Sequence, residues 1–221
     1  MIGTGYHERG EWTQKFARLW FANLLRYAPE TKQVFVVCAG CEFPIKSDHI
    51  TPILGQNLGH VGDYVSGQRE GQLCGWSASI ITLATLAFSM GEDLIFIEQD
   101  CLAFGPWIER AYTDMDDGEF VFGGPHNTAP YMPSSQSLFI ARHSFLLEFI
   151  QRYLTLPKDA VMLPEEKFLR IYEAAPEKCR HLSFGVDRER PIPFDAPVFY
   201  SQQHTLSELE ELNRRGLCSP L

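Results

Sequence analysis

Residues 76–90 (WSASIITLATLAFSM) are apolar nearly all round and long enough for about four turns of helix. A helix without a polar face must be covered on several sides. Just past its end comes Leu94-Ile95-Phe96-Ile97, a continuous apolar run that reads as a strand buried on both faces. Gly91, between the two, is placed to end the helix. A second buried strand is predicted at 34–38. It follows an amphipathic helix at 13–27, whose apolar face carries Phe16, Leu19, Trp20, Phe21, Leu24 and Leu25 and which Pro29 stops. Buried helices alternating with buried strands require an α/β structure with a mostly parallel central sheet and helices on both faces.

The second half continues the pattern less regularly. Helices are predicted at 106–115, 145–154, 165–174 and 207–215, and strands at 119–122, 136–141, 181–184 and 198–200. Ser207 and Glu210 are placed as a capping box for the last helix, with Gly216 as its stop. Residues 39–75 form a long connection with room for one short strand, and a loop of that length is usually functional. No repeat or linker divides the chain, so one domain over 1–221 is expected, with halves near 1–105 and 106–221.

Composition narrows the function. Apolar residues make up 45% of 221, ample for a core. A net charge of -9 gives no broad attraction for a polyanion, so nucleic acid is disfavoured as a partner. No stretch has the ~20 apolar residues of a membrane span. The N-terminus lacks a basic-then-apolar leader, so a cytoplasmic location is expected, at most peripheral to a membrane. The six cysteines are scattered and read as thiols. Cys38 and Cys41 have CxxC spacing, but no second pair follows, and Glu42-Phe43-Pro44 is a poor helix start.

The chemistry is concentrated where the strand at 94–97 runs into Glu98-Gln99-Asp100. Residues two apart on a strand point to the same side, so both carboxylates can approach one cation. In open α/β sheets, ligands bind beyond the carboxyl ends of the strands. Hard oxygen donors suit Mg2+ or Mn2+, which in turn hold phosphate. The competing reading is the solvated mouth of a strand. Cys101-Leu102-Ala103-Phe104 returns at once to apolar sequence, which places the acids in a tight, partly buried turn where a partner is needed.

Gly75-Trp76-Ser77-Ala78-Ser79, the apolar helix, and then Gly91 to Asp100 resemble the central signature of GT-A fold glycosyltransferases, in which a helix and a strand lead to an acidic DxD motif. Here Glu98 stands in place of the first Asp. The resemblance covers residues 1–145 in outline and implies a single GT-A-like (Rossmann-like) domain. It implies that Asp100 binds the metal and that Glu98 reaches the ribose or a metal-bound water. A third ligand is implied at His204. A nucleotide-sugar cradle is implied at Thr4, Gly5 and Tyr6, at Ser77 and Ser79, and at Gly123 and Gly124. The catalytic base is implied at Glu165 or Glu166. Each has a bland alternative: a glycine turn, ordinary capping, or acids favoured by a helix dipole. Asp187-Arg188-Glu189-Arg190 could grip a diphosphate or lie on the surface.

The implied reaction moves a sugar from a nucleotide diphosphate sugar to a hydroxyl of a glycan or lipid-linked acceptor. Two alternatives stand beside it. A nucleotidyltransferase would normally carry a glycine-rich basic loop after the first strand, and residues 3–10 have an Arg but no Lys. A binding module could keep the fold without turnover.

Overall fold

The computed structural model describes residues 1–124, 135–185, 188 and 190–219. In chain order the elements are β1 (Ile2–Tyr6), α1 (Glu11–Tyr27), β2 (Val34–Ala39), β3 (Ile50–Gly55), α2 (Val61–Val65), α3 (Gly75–Met90), β4 (Leu94–Ile97) and β5 (Cys101–Phe104). Then come α4 (Trp107–Met115), β6 (Phe120–Gly123), β7 (Ser135–Ala141), α5 (His143–Thr155), α6 (Pro164–Ala174), β8 (Cys179–Leu182), β9 (Phe199–Gln202) and α7 (Leu206–Arg214).

Seven strands form one sheet in the order β3-β2-β1-β4-β7-β6-β8, and β5 pairs with β9 in a separate ribbon. Within the large sheet only β7 runs against its neighbours, β4 and β6; the other pairings are parallel. The mostly parallel α/β sheet read from the sequence is therefore the observed one.

Strand β4 shows why the apolar run has no polar face. Ile95 and Ile97 pack into a core shared with α1, α4, α7 and the β5–β9 ribbon. Leu94 and Phe96 pack into the opposite core, with α3, α5 and α6. Helix α3 ends as predicted, with Gly91 in the left-handed region at φ 73°.

Three expectations change. Thr4, Gly5 and Tyr6, read as a nucleotide cradle or a glycine turn, belong to the body of β1, at the centre of the sheet. The glycines serve packing there. A Cβ at Gly3 would lie 2.6 Å from Leu83 Cδ2, and one at Gly5 would lie 2.8 Å from Ser79 Oγ. They let α3 sit directly on β1. The long connection contains both β3 and the short α2. The last helix is capped two residues earlier than predicted. Glu208 N donates to Thr205 Oγ1 at 3.3 Å, and Thr205 N donates to Glu208 Oε2 at 2.7 Å. Thr205 has the extended backbone an N-cap needs, and Ser207 already lies within the helix. Among the described residues no helix is long and apolar enough to cross a membrane.

Candidate active site at the β4–β5 turn

Strand β4 ends at Ile97, and the chain reverses through a turn closed by Cys101 N donating to Glu98 O at 3.0 Å. Glu98 and Asp100 are thus presented by a turn rather than by strand alternation, yet both reach the same cleft. Gln99, between them, ties the turn to the end of β1. His7 N donates to Gln99 Oε1 at 2.8 Å, and Gln99 Nε2 donates back to His7 O at 3.4 Å. On the other side, Gln202 Nε2 donates to Glu98 Oε2 at 3.0 Å, and Gln202 Oε1 accepts from Ser137 Oγ. Amides from β1 and β9 therefore fix the acidic turn from both flanks.

The cleft has a volume of about 220 Å³. One wall comes from the end of β1 and the segment after it: Gly5, Tyr6, His7 and Arg9. Beyond it lie Asn57, Gly59 and His60, and His60 also caps α2 by accepting from Gly62 N at 3.0 Å. The first turn of α3 contributes Gly75, Trp76 and Ser79, and α6 contributes Pro164 and Glu165. Gln136, Arg188, Gln202 and Gln203 close the remaining side. Burial, reinforced by the neighbouring Arg9 and His60, lowers the His7 pKa from its ordinary value. Burial pushes the Tyr6 hydroxyl up to about 12, so it stays protonated.

The sequence-derived candidates separate into two groups. Gly5, Tyr6, Ser79, Glu98, Asp100 and Glu165 meet at this cleft. The others stand apart. Thr4 is fully buried and its hydroxyl donates to Gly5 O at 3.3 Å. Ser77 is buried beneath the floor, 2.6 Å from the Tyr153 hydroxyl. Glu166 caps its own helix by accepting from Leu163 N at 2.7 Å, which is the bland role of an acid in a first turn. Gly123 ends β6 and Gly124 follows it, both outside the cleft lining. The loop at 125–134 lies outside the described residues.

Of the charged cluster at 187–190, positions 187 and 189 also lie outside the described residues, and the two arginines part company. Arg188 lines the cleft. Arg190 pairs with Glu208 and donates to the carbonyls of Gln202 and Gln203, each at 3.1 Å. Residues that the sequence reading passed over include His7, Asn57, His60 and Gln202. Nothing local marks them, since their partners at the site are set by sheet order.

Glu98, Asp100 and His204 do not assemble as three ligands. Among the described residues no group of three His, Cys, Asp or Glu side chains is placed to hold a metal ion. His204 instead packs against α1, stacked on Phe16 at 5.9 Å, with Nε2 2.8 Å from Ser201 Oγ. The two carboxylates still suit Mg2+ or Mn2+. Such ions are commonly bound through one or two carboxylates, with substrate phosphate and water completing the shell.

Beneath the cleft is a fully buried ion pair. Lys167 Nζ lies 2.5 Å from Asp159 Oδ1, with neither side chain exposed. Cys74 N, at the start of α3, donates to Asp159 Oδ2 at 2.6 Å. The Lys167 ammonium also sits over the Tyr153 ring, 4.8 Å from its centroid. This pair joins the first turns of α3 and α6, which carry Ser79 and Glu165 into the cleft.

No protein-family model matches the sequence, and no curated protein matches it. Solved structures do match by fold. An active-site mutant of LgtC aligns with a TM-score of 0.58 at 11% identity, over 100% of this chain and 96% of that one. A glycosyltransferase involved in glycosylation of the major capsid of PBCV-1 aligns at 0.58 and 12%, over 98% of each chain. A candidate glucose-1-phosphate thymidylyltransferase from Bacillus anthracis, in complex with sucrose, aligns at 0.52 and 8%, over 100% and 96%. The chain has the GT-A fold, the architecture of nucleotide-sugar glycosyltransferases, and a nucleotidyltransferase is similar to it as well.

Proposed function

We propose that this chain is a glycosyltransferase that moves a sugar, a hexose in the simplest case, from a nucleotide diphosphate sugar to a hydroxyl of a glycan or lipid-linked acceptor. The observation that carries the reading is the convergence of Glu98, Asp100, Ser79 and Glu165 on one cleft at the carboxyl ends of β1 and β4. The nucleoside lies against Gly5, Tyr6, Asn57 and His60. The diphosphate lies between Arg9 and the acidic turn, close to the start of α3.

Asp100 and Glu98 would hold a divalent ion, which when bound would supply positive charge to the departing diphosphate. Glu98 keeps its orientation through Gln202. Glu165 is the base. Its Oε1 accepts from Gln136 Nε2 at 2.9 Å, which steers the carboxylate on the cleft wall. As the acceptor oxygen attacks the anomeric carbon, its proton passes to Glu165 and the nucleoside diphosphate leaves with the bonding electrons. Attack from the face opposite the leaving group inverts the anomeric centre.

A second reading is favoured by one observation. Arg9 follows β1 and lines the cleft, where a nucleotidyltransferase would place a basic residue on a triphosphate. The products separate the two, since transfer releases nucleoside diphosphate and nucleotidyl transfer releases pyrophosphate.

A panel of nucleoside diphosphates and their sugars, with and without manganese, tests the proposal by thermal shift. Ligand at a hundred times its dissociation constant adds about 2.7 kcal/mol of stability. Asp100→Asn should remove the manganese-dependent part. Glu165→Gln should keep the nucleotide shift while slowing transfer by about 10²–10⁴. A wild-type chain that ignores every nucleotide on the panel refutes both enzyme readings.

A further inference from the structure

A second cavity, of about 250 Å³, adjoins the cleft. Arg9, Gln99, Asp100 and Gln203 line both spaces, so they meet at the acidic turn. The walls that belong to the second cavity alone are Trp12, Thr13 and Phe16 of α1 and, facing them, His204. Three features there bear on what the cavity can take.

Trp12 is 48% exposed at the start of an otherwise well-packed helix, while Trp20, farther along the same helix, is 1% exposed. Its ring lies 6.5 Å from that of Phe16 and is tilted at 45°. Gln203 adopts φ 55°, a left-handed conformation that is uncommon for a residue with a side chain, and Arg190 holds it there through its carbonyl. His204 is 9% exposed, and its Nδ1 is a buried polar atom without a hydrogen-bond partner.

We infer that this second cavity is a saccharide subsite, which seats the glycan acceptor beside Asp100 with one sugar ring against Trp12. The inference rests on the glycosyltransferase reading for the acceptor role, but not for saccharide binding itself. A sugar has an apolar C–H face and a hydroxyl rim. The cavity offers an aromatic ring on one side and neutral polar groups, Thr13 and Gln203, beside it. Thr13 Oγ1 accepts from Arg9 N at 3.2 Å, which leaves its O–H to donate. A purely apolar chain would strand these groups and Arg9, which lines the same cavity.

Ligand-detected NMR tests the inference. The probes are methyl glycosides of glucose, galactose, mannose and N-acetylglucosamine, with lactose and maltose, each at millimolar concentration. At least one should bind the wild-type chain. Trp12→Ala should weaken it about tenfold, and Trp12→Phe by less. Trp12 is half exposed, so both variants should fold, and their nucleoside diphosphate thermal shift should stay at the wild-type value. Absence of saccharide binding overturns the inference, and so does binding that Trp12→Ala leaves unchanged. Binding of the detergent octyl glucoside without any methyl glycoside points to an apolar groove and also overturns it. If nucleotides give no shift but saccharides bind through Trp12, the donor reading fails and the subsite stands.

Discussion

Replacing Lys167 by Met should be among the most damaging single changes outside the apolar core. Lys167 and Asp159 are both fully inaccessible, and their charges lie 2.5 Å apart. Met keeps most of the side-chain volume but leaves the Asp159 carboxylate buried, with Cys74 N still donating to it at 2.6 Å. Removing one partner of a buried pair typically costs about 3–5 kcal/mol. For a chain of this size each kcal/mol moves the melting temperature by about 2–4 °C, so the midpoint should fall by about 6–20 °C. Some of the penalty is removable. Adding Asp159→Asn abolishes the stranded charge while keeping an oxygen for Cys74 N. The double variant should therefore be more stable than Lys167→Met alone, by about 1–3 kcal/mol. Urea melts of the two single variants, the double variant and the wild type form the cycle. A loss below about 1 kcal/mol for Lys167→Met, or a double variant no better than the single one, refutes the reasoning.

Two further outcomes follow from packing and burial. Gly5→Ala places a methyl 2.8 Å from Ser79 Oγ and 2.9 Å from Ser79 Cβ. It should destabilise by about 1–3 kcal/mol, and Ser79→Gly in the same chain should restore much of the loss in a chemical melt. His204 has its pKa lowered to about 4, first by burial and then by Arg190, with Glu208 opposing. Unfolded, it titrates near 6.5, so between pH 6.5 and 4 the unfolded chain binds more protons and stability falls as pH falls. The contribution is roughly 3 kcal/mol across that window. His204→Gln should flatten this part of the stability–pH curve, and an unchanged curve would show that His204 is not buried as a neutral ring.

What the sequence reveals and what it hides divide along a physical line. Helix α3, strand β4 and the acids after it were legible because each is a local pattern: an all-round apolar helix, an unbroken apolar strand, a carboxylate pair. The reversal of β7 between β4 and β6 was not, since the direction of a strand leaves no trace in its own period. The strand position of Gly3 and Gly5 was not legible, since close-spaced glycines also suit a ligand cradle or a turn. Their cause is Leu83 and Ser79 on α3, with two helices and two strands between them in sequence. Glu165 and Glu166 were indistinguishable before folding. Only the capping bond to Leu163 N assigns Glu166 to its own helix and leaves Glu165 at the cleft.

The departure at Glu98 from the acidic motif has a structural account of the same kind. Its carboxylate reaches Gln202 on β9, a residue of the small ribbon rather than of the main sheet. Gln202 in turn contacts Ser137 on β7. An Asp at 98 is shorter by one methylene and would fall short of that amide by more than about 1 Å. The longer side chain thus links the turn to the C-terminal strand while keeping its charge on the cleft wall. Asp100 lies at the junction of the two cavities and lines both. On this geometry Glu98 tethers the acidic turn to β9.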